Sequence, residues 1–236
     1  MKRKLVLLLC ALFIASAVPA KAADLFLLGF AGYDYEDPDA NDPDADGSTY
    51  LEVGDGYRAV GVITSFGATL LPYVDQGTNE YTFHIYDLEV IQHDWDAPNQ
   101  FVSVLFANNG RIRYYEDSIG GGTAHNYGTN PPNGTAPSTF TDGAIILGGD
   151  VDNFALFYDY LGAQGGFSGQ MTLDEGTLLT YISPAQRGGW LIGGLAGRPN
   201  ESVPEGYDNQ ISGEARIPDA TPTRTKSWGA VKSLYR

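Results

Sequence analysis

The sequence predicts an all-β chain: one antiparallel meander domain, closing as a barrel in preference to a two-sheet sandwich. Three observations carry that prediction. Phe167, Gly169, Met171 and Leu173 alternate with Ser168, Gln170 and Thr172, and Phe154, Leu156, Tyr158 and Tyr160 share one side of the segment before them. A period of two puts each set on one face of a strand. The connectors at 148–153 and 161–166 are short and rich in Gly, Asp and Asn, and joins that short link neighbouring antiparallel strands. Glycine is 30 of 236 residues, against a usual share of about 7%. With 15 tyrosines and few helix-forming runs, this reads as short strands and many turns.

The chain begins with a targeting signal. Lys2, Arg3 and Lys4 form a basic start, residues 5–18 an apolar run, and Ala20-Lys21-Ala22 a small-x-small cleavage pattern. Residues 1–22 therefore read as a secretory signal peptide, too short and wrongly flanked for a transmembrane helix. The expected location is outside the cytoplasm: periplasm, cell surface or medium. A lipid anchor at Cys10 is rejected, because Leu9 stands where a small residue is needed and the apolar run continues past it. Cys10 is the only cysteine, so the exported chain has no disulfide and must hold itself by burial, with or without ions. Roughly 210 residues suffice for one core, and residues 23–217 are assigned to one all-β domain.

Charge narrows the partners. The chain has 14 Lys+Arg against 29 Asp+Glu. Cleavage removes Lys2, Arg3, Lys4 and Lys21, leaving 10 against 29, or −19. Such a surface repels nucleic acid and anionic lipid and attracts divalent cations.

Residues 25–31 read as a strand buried on both faces, running on through Tyr33 and Tyr35. An acidic loop follows at 36–47. Asp42, Asp44, Asp46 and Gly47 match the opening of a calcium loop, in which alternate carboxylates converge on one hard cation. The twelfth loop position is Val53 where an EF-hand needs Glu, and no helical run flanks the loop. It is closer to the short aspartate loops of extracellular calcium-binding repeats. Calcium is the cofactor expected here, at Asp42, Asp44 and Asp46; the competing reading is a solvated acidic turn.

Strands are predicted at 59–71 and 80–92. His93-Asp94-Trp95-Asp96 could ligate a metal or supply a base, against the commoner reading of a loop cluster. Asn108-Asn109-Gly110 between 101–107 and 111–115 predicts a type I′ hairpin. Arg111 and Arg113 are expected opposite acidic cross-strand neighbours. Residues 116–138 form a long connection, read as a binding loop or a mobile segment, and Asn133-Gly-Thr135 fits a glycosylation sequon. Closing strands are placed at 188–194 and 207–217.

Phe140-Thr-Asp-Gly143, Arg187-Gly-Gly-Trp190 and Val203-Pro-Glu-Gly-Tyr-Asp-Asn-Gln210 resemble a pattern in uncharacterised exported bacterial β-rich proteins, some of which carry a PEP-CTERM sorting tail. The resemblance spans 140–214. It implies secretion and a β-rich module, and transfers no activity. The Pro-Glu-Pro plus apolar-helix tail is missing here. Instead, 218–225 reads as a linker, and Arg224, Lys226, Lys232 and Arg236 form a basic end without acids, with Trp228, Val231 and Leu234 on one side of a short helix. That tail is a candidate recognition element for an envelope or sorting partner, or a strap on the acidic body.

The functional expectation is a secreted or surface-displayed structural or binding module, with calcium as its candidate stabiliser. The alternative is a secreted hydrolase using paired carboxylates among Asp87, Glu89, Asp94 and Asp96. A third reading is an aromatic sugar-binding platform.

Overall fold

The structure is a computed structural model describing residues 25–36, 51–119, 137–197, 203–204 and 206–217. Its strands are β1 (Leu25–Glu36), β2 (Gly56–Phe66), β3 (Asn79–Asp96), β4 (Phe101–Phe106), β5 (Gly110–Ser118), β6 (Ala144–Asp159), β7 (Gln164–Glu175), β8 (Trp190–Gly197) and β9 (Asn209–Ile217). Every pairing is antiparallel, and β9 returns to β1, with Leu25 opposite Ile217. β4 and β5 both lie between β3 and β6, end to end. They count as one strand of a closed eight-stranded barrel in meander order, as the alternation predicted. Closure removes the free edges an open meander would leave.

The Asn108-Asn109-Gly110 hairpin is corrected by this arrangement. Residues 101–106 do not fold back on 110–118, because β3 and β6 already occupy both edges of the run. Asn109 and Gly110 do not take the positive φ of a type I′ turn. The three residues instead form a break in one long strand. The backbone N–H of Asn153 donates to Asn108 Oδ1 at 2.7 Å, so a side chain replaces a missing ladder carbonyl. The turn expected at 148–153 is likewise absent: β6 runs through it, with its bulge at Asn153 (φ 50°).

A third bulge sits level with these, at Asp87 of β3 (φ 59°). It explains why both faces of 80–92 read as mixed. Tyr81, Phe83 and Ile85 point inward, the bulge shifts the phase, and Leu88 and Val90 continue the inner face. A line of bulges thus bends three adjacent wall strands at one level.

Gly110 is required there for space, since an added Cβ would press on Leu88 Cδ2, with Leu88 Cγ at 2.9 Å and the Val151 carbonyl oxygen at 3.1 Å. Leu88 is buried. Gly110→Val is therefore expected to destabilise by about 1–3 kcal/mol through overpacking, read as a shift of the urea midpoint at unchanged slope; an unchanged midpoint would refute this packing account.

The inside is filled. Phe30 meets Phe83 at 4.9 Å between ring centroids, Phe154 meets Phe167 at 5.9 Å, and Phe30 meets Phe167 at 6.1 Å. Such rings fit a small barrel only where the facing wall has no side chain. Gly61, Gly169, Gly194 and Gly213 supply that: a Cβ at each would strike, in turn, Phe83, Phe154, Phe167 and Phe30. The glycine excess, read from sequence as turns, is in good part interior wall.

A second apolar cluster lies outside the barrel. Tyr33 and Tyr35 of β1 and Val60 of β2 are covered by Phe140 and Tyr207. Part of the remaining outer wall is charged, as at Arg111, Arg113, Asp150 and Asp174, and part carries exposed apolar side chains, as at Leu105, Phe157, Leu191 and Leu195. No helix among the described residues is long and apolar enough to cross a membrane.

Candidate functional site

One buried carboxylate stands out. Asp34 lies near the end of β1, opposite Ala59 of β2 and Asn209 of β9. It is 1% exposed. The alternation that carries Phe30 into the core carries Asp34 to the same face. Its Oδ1 accepts the Asn209 backbone N–H at 2.8 Å, and its Oδ2 accepts the Tyr57 hydroxyl at 3.2 Å. Next to it, the Asp208 backbone N–H donates to the Asp34 carbonyl at 2.9 Å. The Asp208 carboxylate accepts the Glu36 N–H at 3.2 Å. The end of β1 and the start of β9 thus clasp each other through two aspartates.

Burial pushes the Asp34 carboxyl up to about 7, and the nearby charge of Asp208 adds to the rise. The Asn209 and Tyr57 hydrogen bonds oppose it without cancelling it. Asp208 is also raised, by partial removal of its carboxyl from water, although the residue as a whole stays exposed. The Tyr57 phenol is pushed well up by burial and then by Asp34. Chemically this is a proton-binding joint in the wall. Asp34 is enclosed by the strands it ties.

A second polar constellation lies on the outer wall at β5, β6 and β7. Arg111 donates to Asp150 at 2.6 Å, to Asp174 at 2.8 and 3.0 Å, and to Glu175 at 2.9 Å. Arg113 donates to Glu175 at 2.8 Å and lies 5.5 Å from the Tyr86 ring centroid. His84 stacks on the same tyrosine. Hydrogen bonds from Arg113 and then Arg111 hold the Glu175 carboxyl below its ordinary range, against a smaller opposing effect of burial. The acidic cross-strand partners expected for the two arginines are present, and they occupy the guanidinium donors an anionic ligand would need.

The other predicted residues fall as follows. Asp42, Asp44 and Asp46 lie outside the described residues, as do the sequon and the basic tail. His93 and Trp95 pair with Val104 and Val102 and so face inward at the barrel end, where Trp95 meets Tyr160 edge-on at 5.6 Å. Asp94 and Asp96 point to the opposite side. Asp94 accepts from Gln92 along β3, and Asp96 accepts from Asn99 in the turn that follows. Asp87 and Glu89 are exposed on the bulged stretch. Among the described residues no group of three or more His, Cys, Asp or Glu is placed to hold a metal ion.

Asp34 was missed because Asp34 sits in a Tyr-Asp-Tyr-Glu run that merges with the acidic loop. The available signal was phase: counting by two from Phe30 reaches Asp34. No protein family, curated protein or solved structure matches this chain.

Proposed function

We propose that this protein is an exported structural or binding module, displayed at the cell surface or released, whose barrel is a rigid scaffold stabilised by calcium at Asp42, Asp44 and Asp46. The observation that carries the scaffold reading is the filled interior. With Phe30, Phe83, Phe154 and Phe167 packed ring to ring, contacts with other molecules fall to the outer wall and the end loops. The resemblance to exported β-rich bacterial proteins and the signal-like start support the location.

The calcium reading rests on charge. Alternating aspartates repel one another when their loop is compact, and a dication relieves this while finding several oxygens within reach. The loop begins after Glu36, at the barrel end where Asp34 and Asp208 already carry carboxylates out of water. Binding to the folded state alone adds RT ln(1 + [L]/Kd), about 2.7 kcal/mol at a hundredfold excess over Kd. Without a Glu at position 53, affinity falls to about 10⁻⁴–10⁻³ M, the range of extracellular modules.

The test uses protein purified from an exporting host. Millimolar calcium raises the melting temperature, magnesium does less, and the triple change of Asp42, Asp44 and Asp46 to Asn abolishes the rise. N-terminal sequencing of the same sample begins at Ala23. Identical calcium responses from wild type and triple variant would reduce the loop to a solvated turn, and an uncleaved cytoplasmic protein would end the export reading.

A further inference from the structure

Asp34 and Asp208 belong to a larger joint. Asp208 and Asn209 follow a turn in which the Tyr207 N–H donates to the Pro204 carbonyl at 3.2 Å. Gly206 in that turn has a φ of 90°, is exposed, and would meet nothing within 4 Å of an added Cβ. From this unpacked point the chain drops onto β1, which holds it from both sides of the wall. On the outer side the Tyr207 ring lies 5.1 Å from the Tyr33 ring and edge-on to Tyr35 at 5.4 Å. On the inner side the Asn209 N–H donates to Asp34 Oδ1 at 2.8 Å. Between them, the Asp208 N–H donates to the Asp34 carbonyl, and the Glu36 N–H donates to the Asp208 carboxylate. Alternation along β1 dictates the arrangement: Tyr33 and Tyr35 point out, so Asp34 points in.

The two edges of Asp34 are unequal. Towards β2 it pairs with Ala59, and the ladder runs on to Glu36 opposite Tyr57. Towards β9, Asn209 opposite Asp34 is the final rung. A ladder opens from its end at least cost, so water reaches Asp34 most cheaply when 206–209 peels from β1. The titratable groups around Asp34 are the Tyr57 phenol of β2, the Asp208 carboxylate, and Glu36 two residues along β1. Ala59 beside it, and Ile85 and Leu88 of β3 beyond, are apolar. Arg58 faces outward with Tyr35, and Asp55 is turned onto its own loop, where it accepts the Glu52 N–H. Once Asp34 is charged, the closed joint encloses that charge beside the Asp208 carboxylate, whereas the open joint hydrates it.

We propose that residues 206–209 form a strap whose hold on β1 is set by the charge of Asp34, and that it opens, uncovering Tyr33 and Tyr35, when that carboxyl gives up its proton. In the closed joint Asp34 keeps its proton up to about 7, and on hydration it returns towards its ordinary 3.8. Opening therefore releases a proton. It becomes favoured by about tenfold per pH unit between about 4 and 7, about a thousandfold in all, and no further above that. Acid locks the strap and neutral pH loosens it. Phe140, whose carbonyl accepts the Thr82 hydroxyl at 2.7 Å, stays on the wall when Tyr207 leaves.

Hydrogen exchange of the full-length chain from an exporting host, followed amide by amide from pH 4 to 8 and divided by intrinsic rates, decides the matter. Protection of the Asp208 and Asn209 amides should fall about tenfold per unit up to about pH 7 and then level off. It should depend little on dilute urea, because opening a few residues exposes little surface, whereas protected amides of β7 follow global unfolding with a steep urea dependence. Asp34→Asn should flatten the pH profile of the strap amides. Tyr207→Ala should lower their protection at least tenfold at every pH and keep the slope, and Asp208→Asn should bring the levelling-off to lower pH. A flat wild-type profile overturns the proposal. So does a urea dependence equal to that of β7, which would mean global unfolding only, or strap protection that Tyr207→Ala leaves unchanged. Should Asp34→Asn fail to fold, the wild-type slope and the Asp208→Asn shift make the same decision.

Discussion

Replacing Asp34 with Asn is expected to flatten the dependence of stability on pH between about 4 and 7. Asp34 in the folded protein holds its proton up to about 7, while its ordinary value is 3.8. Within that window the folded state keeps a proton that the unfolded chain has released. Stability therefore falls as pH rises, by up to about 1.4 kcal/mol per unit, and the loss is complete once pH passes the folded value. This is opposite in sign to Glu175, whose carboxyl is lowered by Arg113 and Arg111 and whose contribution is lost as pH falls. Asn keeps the geometry: its oxygen accepts the Asn209 N–H, and its amide faces the Tyr57 hydroxyl, which can accept as well as donate. Below about pH 4 wild type and variant should have similar urea midpoints, and at pH 8 the variant should be the more stable. Asp208→Asn removes the second cause of the raised value, so it should move the wild-type window to lower pH without abolishing it. Parallel profiles for wild type and Asp34→Asn would show that the buried carboxyl is not what sets the slope.

How much of this was legible in the sequence divides along one line. Period two is a property of the strand itself, so the inner faces of β7 and of the second half of β6 were readable: Phe167, Met171, Leu173, Phe154, Leu156 and Tyr158 are all core. The 161–166 turn was readable too, because β6 and β7 pair directly across it. The breaks at 108–110 and 148–153 were not. Asn and Gly serve a tight turn and a bulge equally well, and only the partners on both edges decide between them. Those partners, β3 and β6 for one break and β5 and β7 for the other, come from distant sequence. Glycine was ambiguous for the same reason. A Gly in a strand marks either a turn or a close approach, and the approaching group, such as Phe83 against Gly61, lies on another strand. The candidate site followed the same pattern. The exposed carboxylates Asp94 and Asp96 were conspicuous in the chain, whereas Asp34 becomes distinctive only when Tyr57 and Asn209 close over it.

Gly61→Val is expected to be strongly damaging, costing about 3 kcal/mol or more. A Cβ at position 61 would stand 2.5 Å from Gly32 Cα and 2.6 Å from Phe83 Cε1, and would also press on the Ala31 carbonyl oxygen. None of these neighbours can retreat cheaply. β1 carries Gly32 and is held on both edges, by β2 and by β9. Phe83 is fully buried and already lies against Phe30 at 4.9 Å. Gly61→Ala should show the same clash with less bulk. Gly54→Ala provides the contrast: its φ of 105° is strained for any side chain, yet nothing lies within 4 Å of the added atom, so its cost is backbone strain alone, about 1–3 kcal/mol. The ring's share can be isolated with Phe83→Ala, which vacates one of the three obstacles. In a double-mutant cycle, Gly61→Ala should cost less in the Phe83→Ala background than in wild type, a coupling of about 0.5–3 kcal/mol. Additive costs would place the whole clash on the β1 backbone, and a Gly61→Val protein within about 0.5 kcal/mol of wild type would mean that the glycine is not there to admit the ring.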